Sequence, residues 1–264
     1  MKIRYLALLG VLAPVLGSAA AHADTITMAA TYFTIGESDQ DMNHLAPGVF
    51  NNEVQNSLGA DGLPILNTAA FGCSSNCFTA TPMPADLTKS GEITWWSPAL
   101  NNGAAGGTSD VTETGTGTIT LPYSNGSFYP PNGGGTNDEN GFQAAIFSTI
   151  LNVPTKESIN FNVGADDIAF VYLNGSLVCD LGGVHPDAPG TCTSGVLPAG
   201  ANSLELFYAD LENTQAALTF GVTTAGISGG PPPTNVPEPF TLSMVGAGLA
   251  GVAAMRRRKK AVTA

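Results

Sequence analysis

Basic residues are almost absent from the central part of this 264-residue chain. Of nine lysines and arginines, only Lys89 and Lys156 lie between Asp24 and Val236, whereas 20 of the 21 acidic residues lie there. The net charge of that part is 2 − 20 = −18, against −12 for the whole chain. Because phosphates repel such a surface, the composition argues against nucleic acid and anionic lipid as partners of this part and suits divalent cations and neutral molecules.

Sequence signals of the common enzyme classes are also missing. The one Gly-x-Ser-x-Gly sequence, at residues 226–230, runs into a triple proline rather than a helix and so forms no nucleophile elbow. No phosphate-binding glycine loop opens a helix, and the chain has only three histidines as candidate bases. A glycosidase needs two carboxylates that face each other across about 5–9.5 Å. We therefore expect a protein that is not an enzyme, with a polysaccharide hydrolase as the weakest alternative.

The N-terminus has the three parts of a secretory signal peptide. Residues 1–4 are basic, residues 5–16 are apolar, and Ala21-His22-Ala23 is a small-x-small cleavage site. This order predicts a signal peptide over residues 1–23 that is removed before Asp24. The alternative is an uncleaved anchor, which the shortness of the apolar run disfavours.

The C-terminus has a second targeting pattern, in residues 236–260. Pro237-Glu238-Pro239 precedes an apolar run at 240–255 and a basic cluster at 256–260. As a helix this run of 16 residues is about 24 Å long, and the basic end would stay in the cytoplasm. We predict a single transmembrane helix there, after a Gly/Pro linker at 226–235.

This arrangement resembles the PEP-CTERM sorting tail of Gram-negative bacteria. The resemblance implies an exosortase-type enzyme as a partner, which cuts near the Pro-Glu-Pro motif. It also implies a precursor tethered to the inner membrane and a product at the cell surface or in the extracellular matrix. A permanent membrane anchor is the alternative.

The remaining residues, 24–225, are long enough for one all-β domain. The chain contains 32 glycines and 18 prolines, which favour strands and loops over helices. We predict strands at 25–35, 93–96, 111–123, 142–153, 202–209 and 216–223. Residues 49–58 are predicted as a short helix or a loop, and 142–153 would also allow a helix.

The most informative stretch is 161–185. Residues 159–163 alternate between apolar and polar, as in a half-buried strand. Residues 168–173 are apolar on both faces, which predicts a central strand. Asn174-Gly175 predicts a type I′ hairpin turn, and 176–181 the return strand.

This stretch resembles the fibro-slime domain, a branch of the protective-antigen-like β-sandwiches that includes flocculin-type lectins. The matching residues are Phe161, Asp166, Asp167, Phe170, 173–175, Leu177, Val178, 180–185 and 206–210. Ala165 stands where the family often has another aspartate, and Asp210 where it usually has glutamate. The resemblance implies an antiparallel β-sandwich and a carbohydrate-binding function.

The predicted site is the Asp166-Asp167 corner. Ca²⁺ needs six to eight oxygen ligands, which carboxylates on a loop supply. The resemblance implies that Asp166 and Asp167 are the first ligands, joined by a cis peptide, and that Asp180 and Asp210 lie on loops that complete the site. The alternative is that both aspartates cap a polar turn.

Other candidate ligand-binding residues are less specific. His185 is either a donor beside the ion or a surface histidine, and Asn174 belongs to the matching hairpin. Trp95 and Trp96 form either a sugar-stacking platform or part of the core.

The four cysteines fall into two local pairs. Export would place them in an oxidising compartment, so we predict disulfides Cys73–Cys77 and Cys179–Cys192. The alternative for Cys73 and Cys77 is zinc, for which His44 and His185 are the available further ligands.

We therefore predict a calcium-dependent carbohydrate-binding or adhesion protein of the extracellular polysaccharide matrix. The alternative is a non-catalytic structural matrix protein that calcium stabilises.

Overall fold

A computed structural model describes residues 25–37, 39, 41–42, 48–68, 86–102, 108–128, 141–212 and 215–230. The predicted signal peptide, the Cys73–Cys77 pair, His44 and the predicted membrane span lie outside these ranges. Within them, no helix has the length and apolar character that a membrane crossing requires.

The described residues form fourteen strands. In chain order they are β1 (Ile26–Ile35), β2 (Gly48–Phe50), β3 (Val54–Leu58), β4 (Pro64–Leu66), β5 (Val111–Leu121), β6 (Tyr123–Asn125), β7 (Phe142–Val153), β8 (Asn160–Asp166), β9 (Ile168–Leu173), β10 (Ser176–Val184), β11 (Gly190–Thr193), β12 (Gly200–Ala209), β13 (Ala217–Val222) and β14 (Ser228–Gly229).

These strands make two sheets. The larger has the order β4-β3-β10-β9-β12-β7-β1-β5, with β2 paired to β10 and β14 paired to β7. The smaller has the order β11-β8-β13-β6. All strand pairs are antiparallel. The predicted all-β class is therefore confirmed.

The central strands of the larger sheet are buried on both faces. On one face its side chains pack with those of the smaller sheet, such as Phe161 and Phe220. On the other face they pack with the segments that contain Val54 and Trp95. The central strand β9 shows both environments, because Ala169, Val171 and Leu173 belong to the first core and Ile168, Phe170 and Tyr172 to the second. This is why its sequence is apolar at every position.

Several local predictions are confirmed. Strands β7 and β9 have the predicted bounds, and β5 lies within the strand predicted at 111–123. Asn174 and Gly175 have φ of 49° and 71°, the positive values that a type I′ turn requires.

Two local predictions are wrong. Residues 49–58 form parts of β2 and β3 rather than a helix, because pairing with β10 overrides a weak local preference. Residues 93–96 form no strand beyond an isolated bridge between Leu87 and Ile93. The chain turns after Thr94, where Ser97 N–H donates to Thr94 O at 3.0 Å.

The predicted Cys179–Cys192 disulfide is present, with a Cα–Cα distance of 5.7 Å. It joins β10 of the larger sheet to β11 of the smaller one. At the other end of the domain, the first residues of the predicted linker form β14 against β7.

Candidate metal centre

The candidate metal centre lies where the chain passes from one sheet to the other. Strand β8 of the smaller sheet ends at Asp166, and β9 of the larger sheet begins at Ile168. Asp167 is the single residue between them. The Asp166-Asp167 peptide bond is cis, as the family resemblance implies.

The strand register brings a third carboxylate to this corner. Ala209, the last residue of β12, pairs with Ile168, the first residue of β9, so Asp210 lies beside Asp167. One carboxylate oxygen from each of Asp166, Asp167 and Asp210 lies within 4.8 Å of the other two. Since Ca²⁺–oxygen bonds are about 2.3–2.6 Å long, oxygens on one ion lie up to about 5 Å apart. The spacing therefore fits a shared hard cation.

Backbone groups from two loops hold the Asp167 carboxylate. His185 N–H donates to Oδ1 at 3.0 Å, and Leu211 N–H donates to Oδ2 at 2.8 Å. The neighbouring backbone is fixed as well, because the Tyr208 hydroxyl donates to Asp166 O at 2.8 Å. The corner is therefore ordered by hydrogen bonds on three sides.

Burial makes these carboxylates costly to ionise. Asp166, Asp167 and Asp210 are 7%, 1% and 0% exposed. Desolvation, together with the Asp166 charge, raises the pKa of Asp167 to about 7, although the two backbone donors lower it. Full ionisation of such a cluster requires a compensating positive charge, which a proton or a cation supplies.

Glu53 is a buried acid beside this corner that sequence reasoning missed. It is 0% exposed. Its Oε2 accepts from Gly183 N–H at 2.8 Å, while Oε1 has no hydrogen-bond partner in the part of the chain that the structure describes. Desolvation and the charges of Asp180 and Asp167 raise its pKa. Its sequence neighbours, in a segment predicted as helix or loop, gave no signal of this position.

The structure does not bring Asp180 to the other three aspartates. Its Oδ2 accepts from Val54 N–H at 3.0 Å, and the residue lines an open groove between β3 and β10. Desolvation raises its pKa to about 6. The charges of both Asp180 and Asp167 act on Glu53, the residue that precedes Val54.

The other predicted ligand-binding residues divide into two groups. His185 borders the corner through its N–H, and its ring Nε2 has no hydrogen-bond partner among the described residues. Asn174 lies at the far end of β9, which is six residues long, or roughly 20 Å at about 3.3 Å per residue. Its side chain bonds Asn202 and Ser203, away from the corner, and its ligand-binding role stays a prediction.

Trp95 and Trp96 belong to the core and form no exposed platform. They are 1% and 3% exposed and pack edge to face at 5.6 Å. Trp95 Nε1–H donates to Asp41 Oδ2 at 3.0 Å, and Trp96 Nε1–H donates to Tyr208 O at 2.7 Å. The sugar-stacking alternative is therefore wrong for both residues, because neither ring face is accessible.

The raised pKa values predict an unusual pH dependence for the metal-free protein. The pKa values of Asp39, Asp167 and Asp180 are about 8, 7 and 6 in the folded protein, against about 3.9 in an unfolded chain. At pH values between the unfolded-state pKa and the folded-state pKa, the folded state binds more protons than the unfolded state. The free energy of unfolding therefore falls as the pH rises. We expect the melting temperature to drop by about 5 °C or more from pH 5 to pH 8.

Differential scanning fluorimetry on protein stripped of metal by chelation and gel filtration measures this drop. Added Ca²⁺ should reduce it, because an ionised Asp167 then has a counterion. A melting temperature that rises from pH 5 to pH 8 would contradict the raised pKa values of these aspartates.

Comparison with known proteins identifies the tail. Residues 235–259 match the family model of the PEP-CTERM protein-sorting motif. The predicted sorting signal is thereby confirmed. It indicates exosortase processing and export in Gram-negative bacteria. No curated protein matches the chain.

Solved structures with a similar chain trace are distant. A PA14 sugar-binding domain from an RTX adhesin is 14% identical, with a TM-score of 0.35, over 77% of this chain and 95% of that one. The A domain of epithelial adhesin 9 from Candida glabrata, in complex with Galb1-4GlcNAc, is 10% identical, with a TM-score of 0.32, over 80% of this chain and 84% of that one. A Kluyveromyces marxianus β-glucosidase in complex with glucose is 13% identical, with a TM-score of 0.26, over 32% of this chain.

This chain spans only 11% of the length of that β-glucosidase. The functional assignment therefore depends on the residues of the chain itself.

Proposed function

We propose that this protein is an exported, non-catalytic surface protein that binds glycans in a calcium-dependent manner. The observation that carries the proposal is the convergence of Asp166, Asp167 and Asp210 within 4.8 Å at the junction of the two sheets. The sugar-binding part is motivated by the resemblance to fibro-slime and flocculin-type domains, and membership of the fibro-slime branch remains a prediction.

Calcium suits this corner better than zinc or magnesium. All three converging side chains are carboxylates, which hard cations prefer, whereas structural zinc sites use mainly cysteine and histidine. Magnesium keeps several waters in a strict octahedron, which a corner this buried does not favour. Neutralisation by Ca²⁺ would allow the buried aspartates to ionise together.

The groove beside Asp180 is the surface that we assign to the glycan. Exposed and half-buried amides line it, and Leu177 and Val178 add apolar surface. A sugar presents hydroxyls together with apolar ring faces, so this mixture suits it. The groove-lining amides are Asn51, Asn52, Gln55, Asn56 and Asn67.

Contacts between the groove and the corner give a reason for calcium dependence. Val54 N–H binds Asp180 in the groove, while the adjacent Glu53 accepts from Gly183 N–H. Two residues later, His185 N–H binds Asp167. An ion that orders Asp167 would therefore also order the end of β10 and the segment that borders the groove.

The sorting tail gives the proposed location. Exosortase processing would release the domain from the inner membrane to the cell surface or the extracellular matrix. There, a neutral polysaccharide would not be repelled by the acidic surface.

A structural matrix protein with a stabilising calcium ion is the second candidate. The observation that favours it is burial: Asp167 and Asp210 are 1% and 0% exposed, so a sugar hydroxyl has little access to an ion held there. In this case calcium would strengthen the sandwich without ligand recognition.

A glycan array probed with and without chelator distinguishes the two. Sugar binding that chelator abolishes supports the lectin. If chelator lowers the melting temperature and no sugar on the array is bound, the result supports the structural role. Release of reducing ends from polysaccharide by the pure protein would contradict both and indicate a hydrolase.

A matched pair of variants locates the sugar. Asn56→Ala removes an exposed amide from the groove, and Asn152→Ala removes an exposed amide from β7. We expect about a tenfold loss of affinity, or roughly 1.4 kcal/mol, for the first and no change for the second. If the two variants bind the glycan with equal affinity, the groove is not the sugar-binding surface.

A further inference from the structure

A second acidic cluster lies away from the Asp166-Asp167 corner. Asp39 follows β1, Asp86 precedes the Leu87–Ile93 bridge, and Asp110 immediately precedes β5. One carboxylate oxygen from each lies within 4.8 Å of the other two. Three segments far apart in the sequence therefore converge on one point.

Hydrogen bonds fix one side of two of these carboxylates. Asp39 Oδ1 accepts from Asp41 N–H at 2.7 Å, and Asp86 Oδ1 accepts from Asn101 Nδ2–H at 2.9 Å. Because each of these oxygens is engaged by a donor, the opposite oxygen of each residue is left for the shared space.

Those opposite oxygens are buried without a donor. Asp39 and Asp86 are 1% and 0% exposed, and Oδ2 of each has no hydrogen-bond partner among the described residues. Both oxygens of the half-buried Asp110 are in the same situation. A buried carboxylate oxygen with no partner is costly, so these atoms point to a positive ligand between them.

No basic side chain of the described residues supplies that charge. Lys89 is only three residues from Asp86, but it is exposed and makes no ion pair with a described residue. Lys156 is also exposed and lies between β7 and β8. The potential metal ligands at this cluster are carboxylate oxygens, and their spacing fits a single hard cation.

We propose that Asp39, Asp86 and Asp110 form a second binding site for a hard divalent cation such as Ca²⁺. The ion clamps the segment 86–102, which carries Trp95 and Trp96, to the ends of β1 and β5. This site uses none of the residues of the corner, so it stands or fails independently of the proposed glycan binding.

Calcium binding counted by equilibrium dialysis tests this site. The purified full-length chain in mild detergent should bind two ions. Asp110→Asn should bind one, Asp166→Asn should bind one, and the double variant none. Glu113→Gln, which removes an exposed charge three residues from Asp110, should still bind two.

Thermal melting separates a cation site from a purely structural cluster. In chelator, Asp110→Asn should melt at the same temperature as the wild type or higher, because it removes one of three like charges. Its rise in melting temperature on adding Ca²⁺ should be smaller. If Asp110→Asn does not fold, Asp39→Asn provides the same count. Two ions bound by a folded Asp110→Asn, or one ion bound by the wild type and lost in Asp166→Asn, would overturn the proposal.

Discussion

Asp166→Asn is expected to remove one bound calcium ion per chain at a calcium concentration that just saturates the wild type. The substitution keeps an oxygen ligand but removes one of the three charges that converge at the corner. We expect the affinity there to fall by roughly 100-fold, or about 2.8 kcal/mol. Equilibrium dialysis with radioactive calcium measures the loss directly.

The matched control is Asp180→Asn. The family resemblance makes Asp180 a ligand, but its carboxylate instead accepts from Val54 N–H. An asparagine oxygen can accept the same bond, so this variant should bind as much calcium as the wild type. Loss of an ion in Asp180→Asn but not in Asp166→Asn would show that the ligand assignment is wrong.

Trp96→Ala is expected to destabilise the domain by about 3–5 kcal/mol. The indole is 3% exposed and packs edge to face against Phe207 at 5.2 Å and Trp95 at 5.6 Å. Its N–H satisfies Tyr208 O at 2.7 Å. Truncation would leave a cavity and an unpaired carbonyl, and the melting temperature should fall by about 10–15 °C.

Trp96→Phe is the control for this effect. Phenylalanine fills part of the space but lacks the N–H, so we expect an intermediate loss of stability. Glycan affinity of the remaining folded protein should be unchanged in both variants. If Trp96→Ala were instead as stable as the wild type and bound sugar more weakly, the result would support the alternative in which Trp96 stacks on a sugar ring.

The sequence predicts the centre of this fold better than its edges. Strand β9 is recognisable because it is apolar at every position, and the turn after it because Asn174 and Gly175 tolerate positive φ. The sequence of residues 49–58 does not predict their strands, since the strand conformation there depends on pairing with β10. A local propensity carries no information about such a distant partner.

The candidate sites show the same limit. Asp166 and Asp167 are adjacent in sequence and match a family pattern, so they can be singled out. Glu53 joins them only through the end of β10. Asp39, Asp86 and Asp110 come together because β1 and β5 pair and the segment after Asp86 packs on them. Such clusters can be recognised only once the strand pairing and packing of the folded structure are known.

The two buried indoles provide a built-in optical probe of both acidic clusters. They are the only tryptophans in the chain. Trp95 donates to Asp41, beside the Asp39 cluster, and Trp96 donates to the carbonyl two residues before Asp210. Ion occupancy at either cluster would change the electric field at the nearer ring and hence its emission. With one ring replaced by phenylalanine, an unlabelled sample would report on a single cluster during a titration.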